Sequence, residues 1–295
     1  MAIEPRAPRL AVLIDADNAS SRIASGLFEE IAKIGEASVR RIYGDFSGTR
    51  LKAWADVMST FAIMPHQNFA YTTGKNASDI ALVIDAMDLL HSGRFDGFCL
   101  VSSDSDFTRL AARIREQGVD VYGFGEQKTP EAFRQACRRF VYTENLLPAL
   151  PAADVPARPG AARTAPAGKQ RPSEAAPLIK TAIAQLEDDD GWVALGRVGQ
   201  RLAILAPDFD PRTYGHARLG DLVERAGAFD VRRNDAGGVY IRAKPVARRA
   251  PAAAGGTATA APATAPAVDK PSPSAAKPAG RTPVVGKAPV IGKIS

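Results

Sequence analysis

The chain has 295 residues, 45% hydrophobic and 24% charged, which is enough for a buried core and long enough for two domains. No run approaches the roughly 18 apolar residues that a membrane helix needs, and the N-terminus lacks the apolar core of a signal peptide, so a soluble, cytoplasmic protein with no membrane partner is expected. The two cysteines, Cys99 and Cys137, have no CxxC or His-rich spacing, which argues against a zinc ribbon or a disulfide scaffold and leaves core thiols.

The net charge of +6 is unevenly spread. Residues 1–147 carry 17 Lys+Arg against 19 Asp+Glu, and 177–242 carry 9 against 10. The segment 148–176 carries four basic against two acidic residues, and 243–295 eight against one. Bulk basicity therefore lies outside the expected folded parts, where it can give only weak, salt-sensitive attraction to phosphates. Prolines mark the same division, with seven between Pro148 and Pro177 and nine from Pro245 to Pro289. The boundaries that follow are a first domain at 8–146, a flexible Pro/Ala-rich linker at 147–174, a second domain at 175–243 and a disordered basic tail at 244–295. Such a linker leaves the two modules free to move independently.

In the first segment, short apolar runs alternate with helix-period stretches, the pattern of an α/β fold with a mainly parallel sheet flanked by helices. RLAVLI ending at Ile14 is a buried strand, followed by DADNAS and a helix through Leu27, Ile31 and Ile34. VRRIYG is a second strand. Arg50 to about Phe61 is a helix, and AIMPH a short third strand. After QNFAYTTGK the spacing predicts a helix from about Ala77 to His91, with Ile80, Val83, Ile84 and Met87 at 3–4 spacing and Asn76 as its cap. FCLVS is a fourth strand, DFTRLAARIREQG a helix closed by Gly118, and VDVYGFG a fifth strand. Pro130 opens a last short helix. His66 is expected in a loop and His91 at a helix end, neither with a chemical role.

In open α/β sheets ligands bind beyond the carboxyl ends of the strands. Asp15 ends the first strand, and Asp104 and Asp106 follow the fourth, so two acidic loops meet at one edge. Asp79, in the first turn of the long helix, is the third contributor. Asp85 and Asp88 lie about 240° and 180° around that helix from it and cannot share its site. Carboxylates without His or Cys form a hard, oxygen-only set suited to Mg²⁺ or Mn²⁺, an arrangement that serves phosphodiester hydrolysis. The alternative for each acid is a helix cap or a solvated loop position, and for Asp17, Asp85 and Asp88 that alternative is the expectation.

LIDADN, KNASDIALVIDAMDLL and LVSSDSDFTRLAARIREQGVDVYGFG, in this order and spacing, resemble the NYN domain of the LabA-like family. The resemblance covers about residues 8–146. It implies a PIN-like α/β fold and a metal-dependent ribonuclease, a hydrolase in which Asp15, Asp79 and Asp104 are metal ligands. Asp106 is then a fourth ligand or a water-positioning acid, with all four catalytic. Asn18, Lys75 and Ser103 are supporting residues, Lys75 through a phosphate contact. A rival reading, the haloacid dehalogenase-like phosphatases, also begins with DxD after a first strand. It leaves the Asp79 helix unexplained, and DADNA lacks the DxDxT/V pattern.

The second segment has the order helix, helix, helix, hairpin, which suits a winged helix. PLIKTAIAQLEDDD places Leu178, Ile179, Ile183 and Leu186 on one face. GWVALGRVGQRLAIL is expected as the second helix with Trp192, Val193, Leu195, Val198 and Leu202. LGDLVERAG gives the third, and FDVRRNDAGGVYIR a hairpin around a Gly-containing turn. The stretch resembles the OST-HTH or LOTUS domain, which binds RNA or protein partners and often accompanies NYN domains. Candidate RNA contacts are Arg212, His216, Arg218, Arg232 and Arg233. Trp192 and Tyr214 could stack on bases or serve the core. The tail repeats PVVGK (283–287) and PVIGK (289–293), either as low-complexity drift or as a short peptide that docks on a protein partner or contacts phosphate. The whole reads as an RNA endonuclease with an RNA-binding module, the alternative being a non-catalytic RNA- or protein-binding adaptor.

Overall fold

Arg9–Asp15, a run apolar on both sides, forms β1, and its burial on both faces fixes it as the centre of a sheet. The computed structural model describes residues 6–68, 77–147, 169–186, 191–234 and 237–244. After β1 come α1 (Ala24–Ala32), β2 (Glu36–Gly44), α2 (Lys52–Met58), β3 (Met64–Gln67) and α3 (Ala77–His91). Then follow β4 (Gly97–Val101), α4 (Thr108–Glu116), β5 (Asp120–Gly125), α5 (Glu131–Ala136) and β6 (Arg139–Tyr142). The sheet order is β3-β2-β1-β4-β5-β6, and every pairing is parallel. This six-stranded sheet flanked by helices is a PIN-like α/β fold.

Alternate strand residues feed two cores. Leu10, Val12 and Ile14 pack with Leu27, Ile31 and Trp54 from α1 and α2. Ala11 and Leu13 pack on the other side with Leu82, Ala86 and Leu89 of α3 and Leu110 and Ile114 of α4. The order in which successive strands are added reverses between β1 and β4. Loops diverge there, so a crevice opens at the strand ends. Cys99 and Cys137 are both buried and unpaired, as core thiols.

The smaller module contains α6 (Ala176–Ala184), β7 (Val193–Ala194), α7 (Leu195–Leu205), α8 (Leu219–Ala226), β8 (Phe229–Arg233) and β9 (Val239–Ala243). Its strands form an antiparallel sheet of order β7-β9-β8. The core joins Ile179, Ile183, Val198, Leu202, Leu222 and Val223 to Val193, Phe229 and Ile241 of the sheet. Gly227, at φ 68°, closes α8 in the left-handed conformation that favours glycine.

Several expectations are corrected. The strand β6 was not foreseen beyond the helix at Pro130, because four residues at a sheet edge give little pattern. Trp192 and Val193 do not belong to α7, since β7 pairs with β9 before the helix starts. His66 sits on β3 rather than in a loop. On α3 the buried stripe is Leu82, Ala86, Leu89 and Leu90, while Ile80 and Ile84 are 60% and 57% exposed. The helix is apolar nearly all round, so periodicity alone does not choose a face. The stripe that packs continues one turn back to Asp79 and so carries that carboxylate to the strand ends.

The modules also do not float apart. Phe140 N donates to Pro207 O at 2.8 Å, Arg212 pairs with Glu30, and Arg134 with Asp208, so 6–147 and the smaller module form one compact unit. Asn76, Lys75, most of the linker and the tail repeats lie outside the described residues. Among the described residues no helix is long and apolar enough to cross a membrane.

Candidate functional site

Asp15, the last residue of β1, is 1% exposed, and its carboxylate is held from all sides. Its Oδ1 accepts from the backbone N–H groups of Asp17 (3.0 Å) and Asn18 (3.3 Å). Its Oδ2 accepts from Asn18 Nδ2 at 2.8 Å and Ser102 Oγ at 2.7 Å. These four bonds use the roughly four lone-pair positions of a carboxylate. Burial pushes Asp15 above the ordinary carboxylate range. The bonds from Asn18 and Ser102 oppose that shift, and the charge of Asp104 adds to it.

Ser102 joins the two acidic loops, since its Oγ also accepts from the backbone N–H of Asp104 at 3.0 Å. Asp104 caps the short 3-10 turn Ser105–Phe107, its Oδ1 accepting from Asp106 N at 2.9 Å. Ser103 Oγ accepts from Glu126 N at 2.8 Å and ties the loop to the end of β5. Gly125 there allows close approach, because a Cβ would lie 2.6 Å from Ser102 O.

Asp79 completes the group from the first turn of α3. It is pushed up to about 6, first by burial and then by the charges of Asp15, Asp104 and Asp106. Asp79 thus feels the charge of the other three carboxylates at the switch point between β1 and β4. Among the described residues no three Asp, Glu, His or Cys side chains stand close enough together to grip one ion in the present arrangement. The donor chemistry nevertheless fits a hard dication, because the set is oxygen-only and Asp79 carries a repulsion that a cation would relieve.

The remaining acids turn elsewhere. Asp17 pairs with Arg50 and accepts from Ser78 Oγ at 3.4 Å. Asp85 Oδ2 accepts from Tyr43 Oη at 2.7 Å and Arg41 Nη1 at 2.8 Å, with His66 Nδ1 at 3.3 Å. Burial and Asp85 hold the Tyr43 phenol well above its usual value. This is a structural brace between α3 and the β2–β3 edge. His91 Nδ1 lies 2.7 Å from Met87 O at the end of α3.

A family profile for the NYN domain matches residues 9–146, and one for the OST-HTH/LOTUS domain matches residues 170–241. The chain carries both domains. NYN domains are generally nucleases. Among solved structures the chain is similar to a protein of unknown function from Vibrio parahaemolyticus, at 18% identity over 48% of this chain and 96% of that one, with a TM-score of 0.40. It is also similar to an uncharacterized protein from Nitrosomonas europaea, at 37% identity over 31% of this chain and 91% of that one, with a TM-score of 0.24. No curated protein matches the chain.

In the OST-HTH/LOTUS module the expected RNA contacts separate. Arg212 is half-buried at the junction with the NYN domain, its guanidinium bonded to both oxygens of Asp210 and, at 3.1 Å, to Glu30. It braces the junction, with each of its three guanidinium nitrogens bonded to one of these two carboxylates. His216 and Arg218 precede α8, half-buried and exposed respectively. Arg233 is exposed and paired with Glu224 at 2.9 Å. Arg232 is exposed and lies over the Trp192 ring. Tyr214 packs on the module core, its ring 5.8 Å from that of Phe209. Sequence reasoning missed Ser102. No sequence signal marks it, because its place beside Asp15 follows from the β1–β4 register, which pairs Ile14 with Val101.

Proposed function

We propose that this protein is a metal-dependent endoribonuclease of the LabA-like type, in which the NYN domain hydrolyses RNA that the OST-HTH/LOTUS module helps to hold. The observation that carries the proposal is the convergence at the β1/β4 switch point of Asp15, tied through Ser102 to the loop that bears Asp104 and Asp106, with Asp79 in the first turn of α3, which feels the charge of all three. These residues would hold Mg²⁺ or Mn²⁺, and for Asp15 this means exchanging at least one of its present donors. When bound, such an ion supplies charge neutralisation for the phosphodiester and activation of water. The chain's own part is to hold the two acidic loops in register. Asn18 and Ser102 fix Asp15, Ser102 fixes Asp104, and Ser103 anchors the loop to β5. Lys75, just before α3, is the proposed phosphate contact.

The test uses purified full-length protein, labelled single-stranded and structured RNA and matched DNA, with Mn²⁺, Mg²⁺ or EDTA. Metal-dependent cutting of RNA is expected, lost in Asp104→Asn and Asp15→Asn while RNA binding persists. Calorimetric titration with Mn²⁺ reads the metal site without the reaction, and both variants should bind it more weakly. Variants that cut as well as the parent would overturn the site. Binding without cutting under every condition would make the chain a non-catalytic RNA adaptor.

A further inference from the structure

The small antiparallel sheet of the OST-HTH/LOTUS module has two unlike faces. Val193, Phe229, Val231 and Ile241 turn inward to the module core. Asp230, Arg232, Tyr240 and Arg242 alternate with them on β8 and β9, in register as Arg232 with Tyr240 and Asp230 with Arg242. Trp192, immediately before β7, joins this outer face. The Arg232 guanidinium lies 4.8 Å from the centre of the Trp192 ring and 5.8 Å from that of Tyr240, and the Arg242 guanidinium lies 4.8 Å from Trp192. Trp192 and Tyr240 are half-buried, and Arg232 is exposed.

Two aromatic rings and two planar cations are thus already layered on one surface. The expectation that Trp192 stands inside the second helix is replaced by this position on the sheet. Residues 177–242 carry 9 basic against 10 acidic residues, so the segment as a whole has no attraction for phosphate. This face differs, since Arg232 and Arg242 meet only Asp230 among the four outer β8 and β9 positions named above. Planar guanidinium groups over indole rings form surfaces on which a further flat π-system stacks. Nucleobases are such systems, and they present their faces to a protein only where they are unpaired. A protein partner would look instead for an apolar groove, and the large core residues of this sheet all point the other way.

We infer that the outer face of β7–β9–β8 is a stacking site for unpaired bases of single-stranded RNA, with Trp192 and Tyr240 as the platform. Arg232 and Arg242 serve as stacking layers that also meet the adjoining phosphates. The inference rests on the reading of this module as RNA-binding. It assigns the binding to stacking on a sheet face rather than to Arg212, His216 or Arg218 around α8.

The test measures affinity of the full-length protein in EDTA, which prevents cutting, by fluorescence anisotropy of labelled oligouridylate, whose bases are unstacked in solution. An abasic oligonucleotide of the same length carries the same phosphates without the bases. The parent should bind oligouridylate about tenfold or more tightly than the abasic strand, and Trp192→Ala should remove most of that difference. Trp192→Phe should retain it, which separates lost stacking from lost folding. Arg232→Gln combined with Arg242→Gln should weaken both probes. Equal affinity of Trp192→Ala and parent for oligouridylate would overturn the stacking site while leaving RNA binding intact. An equal loss on the abasic strand would also overturn it. A parent that binds no RNA at all would remove both this inference and the RNA-binding reading beneath it.

Discussion

Removing the Ser102 hydroxyl would leave Asp15 Oδ2, buried and already pushed toward its neutral form, with one donor in place of two, and would strip Asp104 N–H of its acceptor. Ser102→Ala is expected to cost about 1–3 kcal/mol in urea unfolding, the usual penalty for orphaning buried polar groups. Cleavage should fall by about 10–100-fold, as for other residues that orient a metal-binding carboxylate. Asp79 presents the opposite balance. Unfolded, it titrates near 3.8, and folded near 6. The folded state therefore holds the extra proton between those values, and the stability this group contributes below pH 3.8 is lost as pH rises through 6. Asp79→Asn should stabilise the protein in EDTA at pH 7.5, by about 1 kcal/mol once partial exposure is discounted. The gain should vanish near pH 4 in thermal melts, and the same variant should not cut RNA. A variant that melts below the parent at pH 7.5 would mean that Asp79 is not under repulsion.

Helix α3 is legible in its limits and ambiguous in its buried face. Its limits, Ala77–His91, follow from its polar flanks and were legible. Its buried face is only partly so, because Val83 and Met87 pack partly against the core beside Leu82, Ala86 and Leu89 whereas Ile80 and Ile84 at the same spacing stay exposed, and only the sheet beneath decides between them. The placement of Asp15, Asp104 and Asp106 at one sheet edge is legible for a different reason, since strand ends are readable from apolar runs and parallel strands bring their carboxyl ends to the same edge. The hydrogen bonds of Ser102 depend on inter-strand register, which no single strand contains. The choice of stripe is testable by urea denaturation. Ile84→Lys should change stability by less than about 0.5 kcal/mol as an exposed substitution. Leu89→Ala should cost about 2–4 kcal/mol through a cavity beneath the helix. Equal costs would mean that α3 is rotated about its axis.

At the scale of the whole molecule, composition argued for two modules swinging on a Pro/Ala-rich tether, whereas the folded parts lie against each other through groups 182 residues apart. Glu30 organises one half of that junction. Its carboxylate is almost fully buried and pairs with Lys33 at 2.9 Å, Arg139 at 2.7 Å and Arg212 at 3.1 Å. Burial alone would raise it, but the three cations outweigh burial and hold it below the usual glutamate range. A lowered carboxylate contributes stability above its unfolded value of 4.5 that is lost as pH falls through the folded one, so the junction should loosen in acid and hold at neutral pH. Glu30→Gln removes the charge at every pH. Combined with Asp208→Asn, which releases Arg134 and Tyr142 on the other half, it should leave both modules folded but separable. Small-angle scattering at pH 7.5 should then show a larger radius of gyration for the double variant, and calorimetry two unfolding transitions where the parent has one. Unchanged scattering would mean that the junction is held by its backbone bond from Phe140 to Pro207 and by packing, with the desolvation of the buried Glu30 carboxylate offsetting the attraction of its ion pairs.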